Sequence, residues 1–192
     1  MTVSTTLPPA DKGRLAALLA SRSYEKRTVT LASGRTSDFY LDCKNTTLHP
    51  EGLYLSGRFF LDAVRKGKPV AAIGGPTLGS DPIAAAMAVL SHLDGAPLPA
   101  FIIRKEAKGH GTRAWVEGGR FLENGTPVAI VEDVVTSGGS SLKAAEKATE
   151  AGLVVLKIVC LVDREEGGAD AIRAAGYEFE SILTVSEVRR AA

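Results

Sequence analysis

The sequence predicts an α/β protein with a mostly parallel central sheet and helices on both faces. From about residue 69 onward, short apolar runs alternate with segments of helical periodicity, which is the order of repeated βαβ units. The apolar runs are continuous, as expected for strands that are buried on both faces. Residues 1–64 lack this alternation. We expect them to form a small hood over one end of the sheet, within a single domain that spans residues 1–192.

The hood is predicted from weak signals. Leu15, Leu18 and Leu19 recur at helical spacing, and residues 53–64 also present one apolar face. The predicted elements are a helix over 11–21, β-prone pieces at 28–31 and 39–41, and a helix over 53–64.

The remaining elements are bounded by clearer signals. Asp81 followed by Pro82 is typical of an N-cap and a first helical turn, and Gly152 and Gly176 are typical of residues that end helices. The predicted elements are strands over 69–73, 100–103, 128–131, 154–162 and 179–185, and helices over 81–93, 141–151 and 169–175.

Composition excludes several classes of protein. Hydrophobic residues make up 45% of the 192 residues and the net charge is +1, which argues against disorder and against a general nucleic-acid binder. We expect no membrane span and no secretory signal, hence a cytoplasmic protein. Cys43 and Cys160 form no C-x-x-C pair; Cys160 is predicted to be a buried thiol, and a disulfide between the two stays open.

The strongest candidate site follows the strand at 128–131. Glu132 and Asp133 come directly after it, and a glycine-rich, hydroxyl-rich loop then leads into a helix. The backbone N–H groups of such a loop and the start of a helix favour a phosphate. The loop residues are Thr136, Ser137, Gly138, Gly139 and Ser140. The two carboxylates would repel a phosphate unless something such as a ribose separated them from it. The alternative to a binding site is a plain strand–turn–helix with an N-cap.

A basic, glycine-hinged segment follows the predicted strand over 100–103. Its basic or potentially basic residues are Arg104, Lys105, Lys108, His110 and Arg113, with glycines at 109 and 111. Several cations close together would stabilise a polyanionic group, and a hinged lid could exclude water from a reaction. The alternative is an ordinary solvated charge run.

These two segments carry a resemblance to a known family. The acidic strand and its loop are similar to the phosphoribosyl pyrophosphate (PRPP) motif of type I phosphoribosyltransferases. The basic segment resembles the R-K-E-x-K-x-H-G lid of orotate phosphoribosyltransferases. The resemblance implies the type I fold and transfer of phosphoribose from PRPP to orotate, giving orotidine 5′-monophosphate and pyrophosphate in pyrimidine biosynthesis. It also implies a homodimer, because in that family the lid enters the partner's active site.

The resemblance also implies roles for individual residues. The loop over 136–140 would hold the 5′-phosphate, and the two carboxylates would hold the ribose hydroxyls. Arg104 and the following basic residues of the lid would contact pyrophosphate. The residues expected to take part in catalysis are Lys105, Lys108, His110 and Asp133. Mg²⁺ would be held mainly through PRPP, with no firm protein ligand.

Orotate itself would be held by residues from three segments. In the D-R-x-E-x-G stretch, Arg164 would bind the orotate carboxylate; the alternative is an ion pair within that loop, with Asp163 or Glu166. Tyr40 would stack on the pyrimidine ring, or alternatively pack the hood. Thr136 would also contact orotate.

The chain departs from the family pattern at two positions. Some members carry a lysine where this chain has Ala32, and Lys44 is a candidate substitute. Some members also carry a lysine at the position of Gly79, where only backbone contacts to pyrophosphate would remain. Two rival functions stay open: a type I enzyme that uses a purine or uracil, and a non-catalytic PRPP-binding regulator of nucleic acid.

Overall fold

The computed structural model describes residues 10–30, 36–106 and 115–192. Lys108, His110 and Arg113 of the lid, and Ala32 of the substrate segment, lie outside these ranges. In the described part of the chain, the helices are α1 (Lys12–Arg22), α2 (Lys44–Thr47), α3 (Pro50–Arg65), α4 (Ser80–Leu93), α5 (Gly139–Glu150), α6 (Gly168–Ala174) and α7 (Val185–Arg190). The strands are β1 (Tyr24–Glu25), β2 (Val29–Thr30), β3 (Thr36–Ser37), β4 (Tyr40–Leu41), β5 (Ala72–Pro76), β6 (Ala100–Ile103), β7 (Val116–Glu117), β8 (Pro127–Val135), β9 (Val154–Asp163) and β10 (Glu178–Thr184).

The central sheet has six strands in the order β10-β9-β8-β5-β6-β7. All neighbours pair in parallel except β7, which is antiparallel to β6 at the edge. The predicted mostly parallel sheet is therefore confirmed. Two short antiparallel pairs, β1 with β4 and β2 with β3, lie apart from it in the amino-terminal segment.

Each face of the sheet carries its own hydrophobic core. On β8, Ala129 and Val131 pack in one core with residues of α1, α3, α4 and α7. Val128 and Ile130, which point to the opposite face, pack in a second core with residues of α5 and α6. Helices thus cover both faces, as predicted. The grouping of residues 1–64 as a hood within one domain stays a prediction.

Several element boundaries differ from those predicted. Helix α4 begins at Ser80 with Gly79 as its N-cap, so Asp81 lies in the first turn and its Oδ2 accepts a 2.7 Å hydrogen bond from Thr77 Oγ1. Strand β8 continues to Val135, so the acidic pair belongs to the strand instead of following it. Glu132 is paired with Cys160 of β9 in this ladder.

The structure also bears on the cysteines, on membrane spans and on Trp115. Cys43 and Cys160 are both buried and both free, so the open alternative of a disulfide between them is excluded. Within the described ranges, no helix has both the length and the apolarity that a bilayer span requires. Trp115 packs against the second core, and Lys147 Nζ lies 4.4 Å from the centre of its ring.

Candidate active site

Strand β8 delivers the two carboxylates to the carboxyl end of the sheet. Glu132 is only 5% exposed, and its Oε2 accepts a 3.3 Å hydrogen bond from Ser140 Oγ at the start of α5. Burial, and next the charge of Asp133, raise the pKa of Glu132 well above its usual range. Burial also raises the pKa of Asp133, against the opposing effect of the Lys44 charge. Both carboxylates are therefore costly to ionise until hydroxyl donors or a cation reach them.

The turn after β8 leaves the start of helix α5 without a side-chain cap. Gly138 is the N-cap of α5 with φ +82°, a left-handed conformation that favours glycine, and it offers no side chain to the first-turn N–H groups. A Cβ at Gly168 would come within 2.4 Å of Val135 and 2.6 Å of the Thr136 carbonyl. The turns after β8 and β9 therefore pack directly on one another.

The turn after β5 lies against the acidic pair. A Cβ added at Gly79 would lie 2.2 Å from Asp133 Oδ1, so a side chain here would require the Asp133 carboxylate to shift. The turn and the carboxylates share a cleft of about 340 Å³. Its lining residues are Lys44, Pro76, Thr77, Leu78, Gly79, Lys105, Glu132, Asp133 and Ser140.

The described part of the lid places one lysine in this cleft. Lys105 lines it together with the acidic pair. Arg104 is held differently: its Nη1 donates to Glu117 Oε1 at 2.7 Å and its backbone N–H donates to the Trp115 carbonyl at 2.8 Å. The start of the lid is thus fixed to the β6–β7 hairpin. The roles expected of Lys108 and His110 stay predictions.

Lys44 brings a second positive charge to the same cleft. It is the first residue of α2, a helix that the sequence patterns did not indicate because it is four residues long. Its Nζ lies 2.6 Å from Asp42 Oδ1, and this contact is the main reason that the pKa of Lys44 is raised. The charges of Asp133 and Tyr40 act in the same direction. Asp42 was missed as a site residue, since nothing in the local sequence marks its pairing with Lys44.

Arg164 follows β9 and lines a second cleft, of about 500 Å³. It is 6% exposed; Nε donates to Glu166 Oε1 at 2.9 Å and Nη2 donates to Ser37 Oγ at 3.0 Å. The ion pair with Glu166 that the sequence left open is therefore present. The Arg164 backbone N–H donates to the Val135 carbonyl at 2.9 Å, which ties this cleft to the end of β8.

Aromatic residues of the amino-terminal segment flank the Arg164 cleft. The Arg164 guanidinium lies 4.3 Å from the ring centre of Phe39, a buried residue that the sequence analysis did not single out. Arg189 of α7 lies 4.4 Å from the same ring and was also missed. Tyr40 is 36% exposed and does not line this cleft; the Arg27 guanidinium lies 4.4 Å from its ring centre.

The comparisons with known proteins agree on one family. No protein-family model matches the chain. A protein of Sorangium cellulosum named orotate phosphoribosyltransferase is 50% identical over 175 residues, which cover 91% of each chain. The chain belongs to the orotate phosphoribosyltransferase family. A Nostoc orotate phosphoribosyltransferase is 41% identical, covering 92% of this chain and 84% of its own.

A solved orotate phosphoribosyltransferase has the same fold. The Mycobacterium tuberculosis enzyme in complex with PRPP aligns with a TM-score of 0.75 and 33% identity, over 93% of this chain and 98% of its own. The type I phosphoribosyltransferase fold expected from the acidic strand and the lid is thereby confirmed, and the chain is an enzyme of this type.

We expect Gly79→Ala to lower activity sharply while the protein stays folded. The added methyl group would displace the Asp133 carboxylate, since 2.2 Å is far inside van der Waals contact. A loss of about tenfold or more in kcat/KM for PRPP is expected, consistent with the sensitivity of catalysis to small displacements. Gly13→Ala in α1, remote from the cleft, is the matched control. Wild-type kinetics in Gly79→Ala would contradict the importance of this close approach.

We expect Glu132→Gln to stabilise the protein while weakening its activity. The folded state raises the pKa of Glu132 and so binds more protons than the unfolded state. Stability therefore falls as the pH rises from the unfolded pKa of about 4.3 through the raised folded pKa. The neutral amide removes this loss, so we expect the Tm near neutral pH to rise by a few degrees.

The same comparison has a built-in control. Glu146→Gln removes an exposed carboxylate from α5 and should change neither Tm nor activity. If Glu132→Gln lowered Tm at neutral pH, the proposed cost of burying this carboxylate would be wrong.

Proposed function

We propose that this chain transfers the phosphoribosyl group of PRPP to orotate, forming orotidine 5′-monophosphate and pyrophosphate. The observation that carries the proposal is 50% identity, over 91% of the chain, to a protein named orotate phosphoribosyltransferase. The M. tuberculosis relative solved with PRPP supports the same donor. The geometry adds an uncapped helix start, a carboxylate pair and a buried arginine at adjacent strand ends. The place of the reaction would be pyrimidine biosynthesis.

PRPP would lie across the end of β8. The N–H groups of the turn over 136–140 suit the 5′-phosphate, because the start of α5 carries no side-chain cap. The ribose 2′ and 3′ hydroxyls would donate to Glu132 and Asp133, adding to the hydrogen bond that Ser140 already gives Glu132. As the bond at C1′ breaks, positive charge grows on the ribose ring. The ionised carboxylates stabilise that charge electrostatically.

Pyrophosphate would leave toward the turn after β5 and the lid. Lys105 already lines the cleft with Asp133, and Gly79 presents its backbone there without a side chain. Lys108 and His110 would complete the set of cations when the lid closes, as would Arg104 on release from Glu117. Negative charge develops on the pyrophosphate oxygens in the transition state. Cations placed there act on the rate more than on ground-state binding.

Mg²⁺ fits this cleft as an ion shared with the substrate. Glu132 and Asp133 supply the oxygen ligands that a hard cation prefers, while no described group of three or more acidic, His or Cys side chains could hold a metal ion alone. Most of its ligands would be PRPP oxygens and water. Bound there, the ion supplies charge neutralisation to pyrophosphate.

Orotate would enter from the Arg164 side. A buried guanidinium with two of its donors already engaged is a preorganised partner for a carboxylate. Tyr40 and Thr136 would contact the pyrimidine ring between Arg164 and the ribose. We propose that Lys44 supplies the positive charge absent at Ala32, supported by its place in the cleft beside Asp133 and its interaction with Tyr40.

We propose a homodimer with shared active sites, in the cytoplasm. Apolar side chains at the α3 and α4 surface support the dimer: Val89 and Leu93 are 61% and 63% exposed beside an apolar cleft lined by Leu53 and Tyr54. The two free, buried thiols suit a reducing compartment.

The function is tested by supplying PRPP and Mg²⁺ with orotate, uracil or hypoxanthine and following base consumption. We expect turnover of orotate alone, and its loss when the metal is chelated. Arg164→Lys should raise the KM for orotate about tenfold to a hundredfold, because a charge-assisted fork is replaced by a point charge. The KM for PRPP should not change. Turnover of hypoxanthine without orotate turnover would overturn the proposal, as would salt-sensitive nucleic-acid binding with no pyrophosphate release.

Shared sites are tested by mixing two inactive variants. Lys108→Ala carries a defective lid and Arg164→Ala a defective orotate pocket. If the lid acts on the partner subunit, a randomly mixed dimer population regains about a quarter of wild-type activity, because half the dimers contain one intact site. Wild-type protein mixed with Lys68→Ala, an exposed lysine before β5, is the control and should retain full activity. No recovery in dimers shown to exchange would contradict a lid that works in trans.

A further inference from the structure

Glu165 occupies an unfavourable backbone conformation beside the arginine of the orotate cleft. Its φ is +60°, and it is the only non-glycine residue with positive φ in the described ranges. For a residue with a side chain, this left-handed conformation is unfavourable. Glycine would adopt it freely, so the glutamate side chain must contribute something that glycine cannot.

The Glu165 carboxylate bonds to the start of helix α7. Its Oε2 accepts hydrogen bonds from the Ser186 backbone N–H at 3.0 Å and from Ser186 Oγ. The Glu165 backbone N–H in turn donates to Asp163 Oδ1 at 2.9 Å. Asp163 therefore holds the backbone N–H of the peptide that joins Glu165 to Arg164, and Ser186 holds the Glu165 side chain.

Helix α7 is a firm anchor for this contact although it is only six residues long. Val185 and Val188 are buried in the first core, and Val188 is fully buried. Thr184 and Glu187 form a reciprocal capping box at its start. The position of Ser186 is thus set by the core of the protein and by the end of β10.

The same helix reaches the opposite wall of the orotate cleft. Arg189 Nη2 lies 2.9 Å from Asp38 Oδ1, and the Arg189 guanidinium lies over the Phe39 ring. Phe39 is the ring against which Arg164 also packs. One short helix therefore holds both the loop that carries Arg164 and the aromatic wall that it faces.

We propose that Glu165 is a positioning residue that, through Ser186 of α7, holds the Arg164 guanidinium in the geometry that selects a carboxylate-bearing base. The inference rests on the proposed function of Arg164 and deepens it. Glu165 is exposed at the edge of the same cleft, but its carboxylate is already engaged by Ser186, so we infer that it acts through the backbone of Arg164. It therefore governs selection of the base and leaves PRPP binding unaffected.

The test compares Glu165→Gly with Glu165→Gln. Glycine keeps the left-handed backbone without cost and removes the carboxylate, so the variant should fold with a Tm at or above the wild-type value. Its KM for orotate should rise about tenfold, the effect of losing roughly 1.4 kcal/mol of positioning, with kcat and the KM for PRPP unchanged. The preference for orotate over uracil should fall by the same factor. Glu165→Gln keeps an acceptor for the Ser186 N–H and should retain most of the wild-type KM and preference.

Several outcomes would overturn the proposal: an unchanged KM for orotate in Glu165→Gly, an equal defect in Glu165→Gln, or a rise in both KM values together with a lower Tm. Amide hydrogen exchange tests the positioning role independently of the proposed function, because the measurement needs no turnover. Glu165→Gly should speed exchange at Ser186 and Arg164, whichever base the wild-type enzyme uses. Unchanged exchange at Arg164 would exclude the positioning role even in an inactive protein.

Discussion

The parallel pairing of β5, β8 and β9 is the constraint on which the proposed site depends. Because parallel strands end at the same edge of a sheet, the turns after these three strands lie side by side. The turn after β5 brings the backbone of Gly79 against the Asp133 carboxylate. The turn after β8 leads into the uncapped start of α5, and the turn after β9 carries the buried Arg164. The close contacts at Gly79 and Gly168 show how tightly the turns are packed. A side chain at Gly168 would collide with the backbone of the turn after β8, and one at Gly79 would require the Asp133 carboxylate to shift.

The electrostatics of the cleft follow from this packing. Strand β8 brings two adjacent carboxylates into the sheet, where burial disfavours their charge, and Lys44 offsets part of that penalty at Asp133. A substrate that brings hydroxyl groups and a cation to this place relieves the remaining cost. The arrangement therefore favours a sugar phosphate over a bare phosphate, which these carboxylates would repel.

Much of this was predictable from local sequence. The alternation of apolar runs and helices predicted the sheet. Local motifs marked the acidic pair, the glycine-rich turn after it and the start of the basic segment, whose binding roles stay predictions. Some boundaries differ: Asp81 followed by Pro82 resembles an N-cap and a first helical turn, but the N-cap of α4 is Gly79, two residues earlier. Helices α2 and α7 are too short to show periodicity. Phe39 and Arg189 could not be found because their partners are set by tertiary packing, and Arg189 lies 151 residues from Asp38. Asp42 pairs with Lys44, two residues away, but no sequence motif marks that pair.

The most direct measurement of the central claim is a crystal structure of the protein with PRPP and Mg²⁺. The account predicts the 5′-phosphate on the N–H groups of residues 136–140, the ribose hydroxyls on Glu132 and Asp133, and the pyrophosphate between the Gly79 turn and Lys105. PRPP bound at another surface, with the acidic pair and the α5 start both free of ligand, would contradict it.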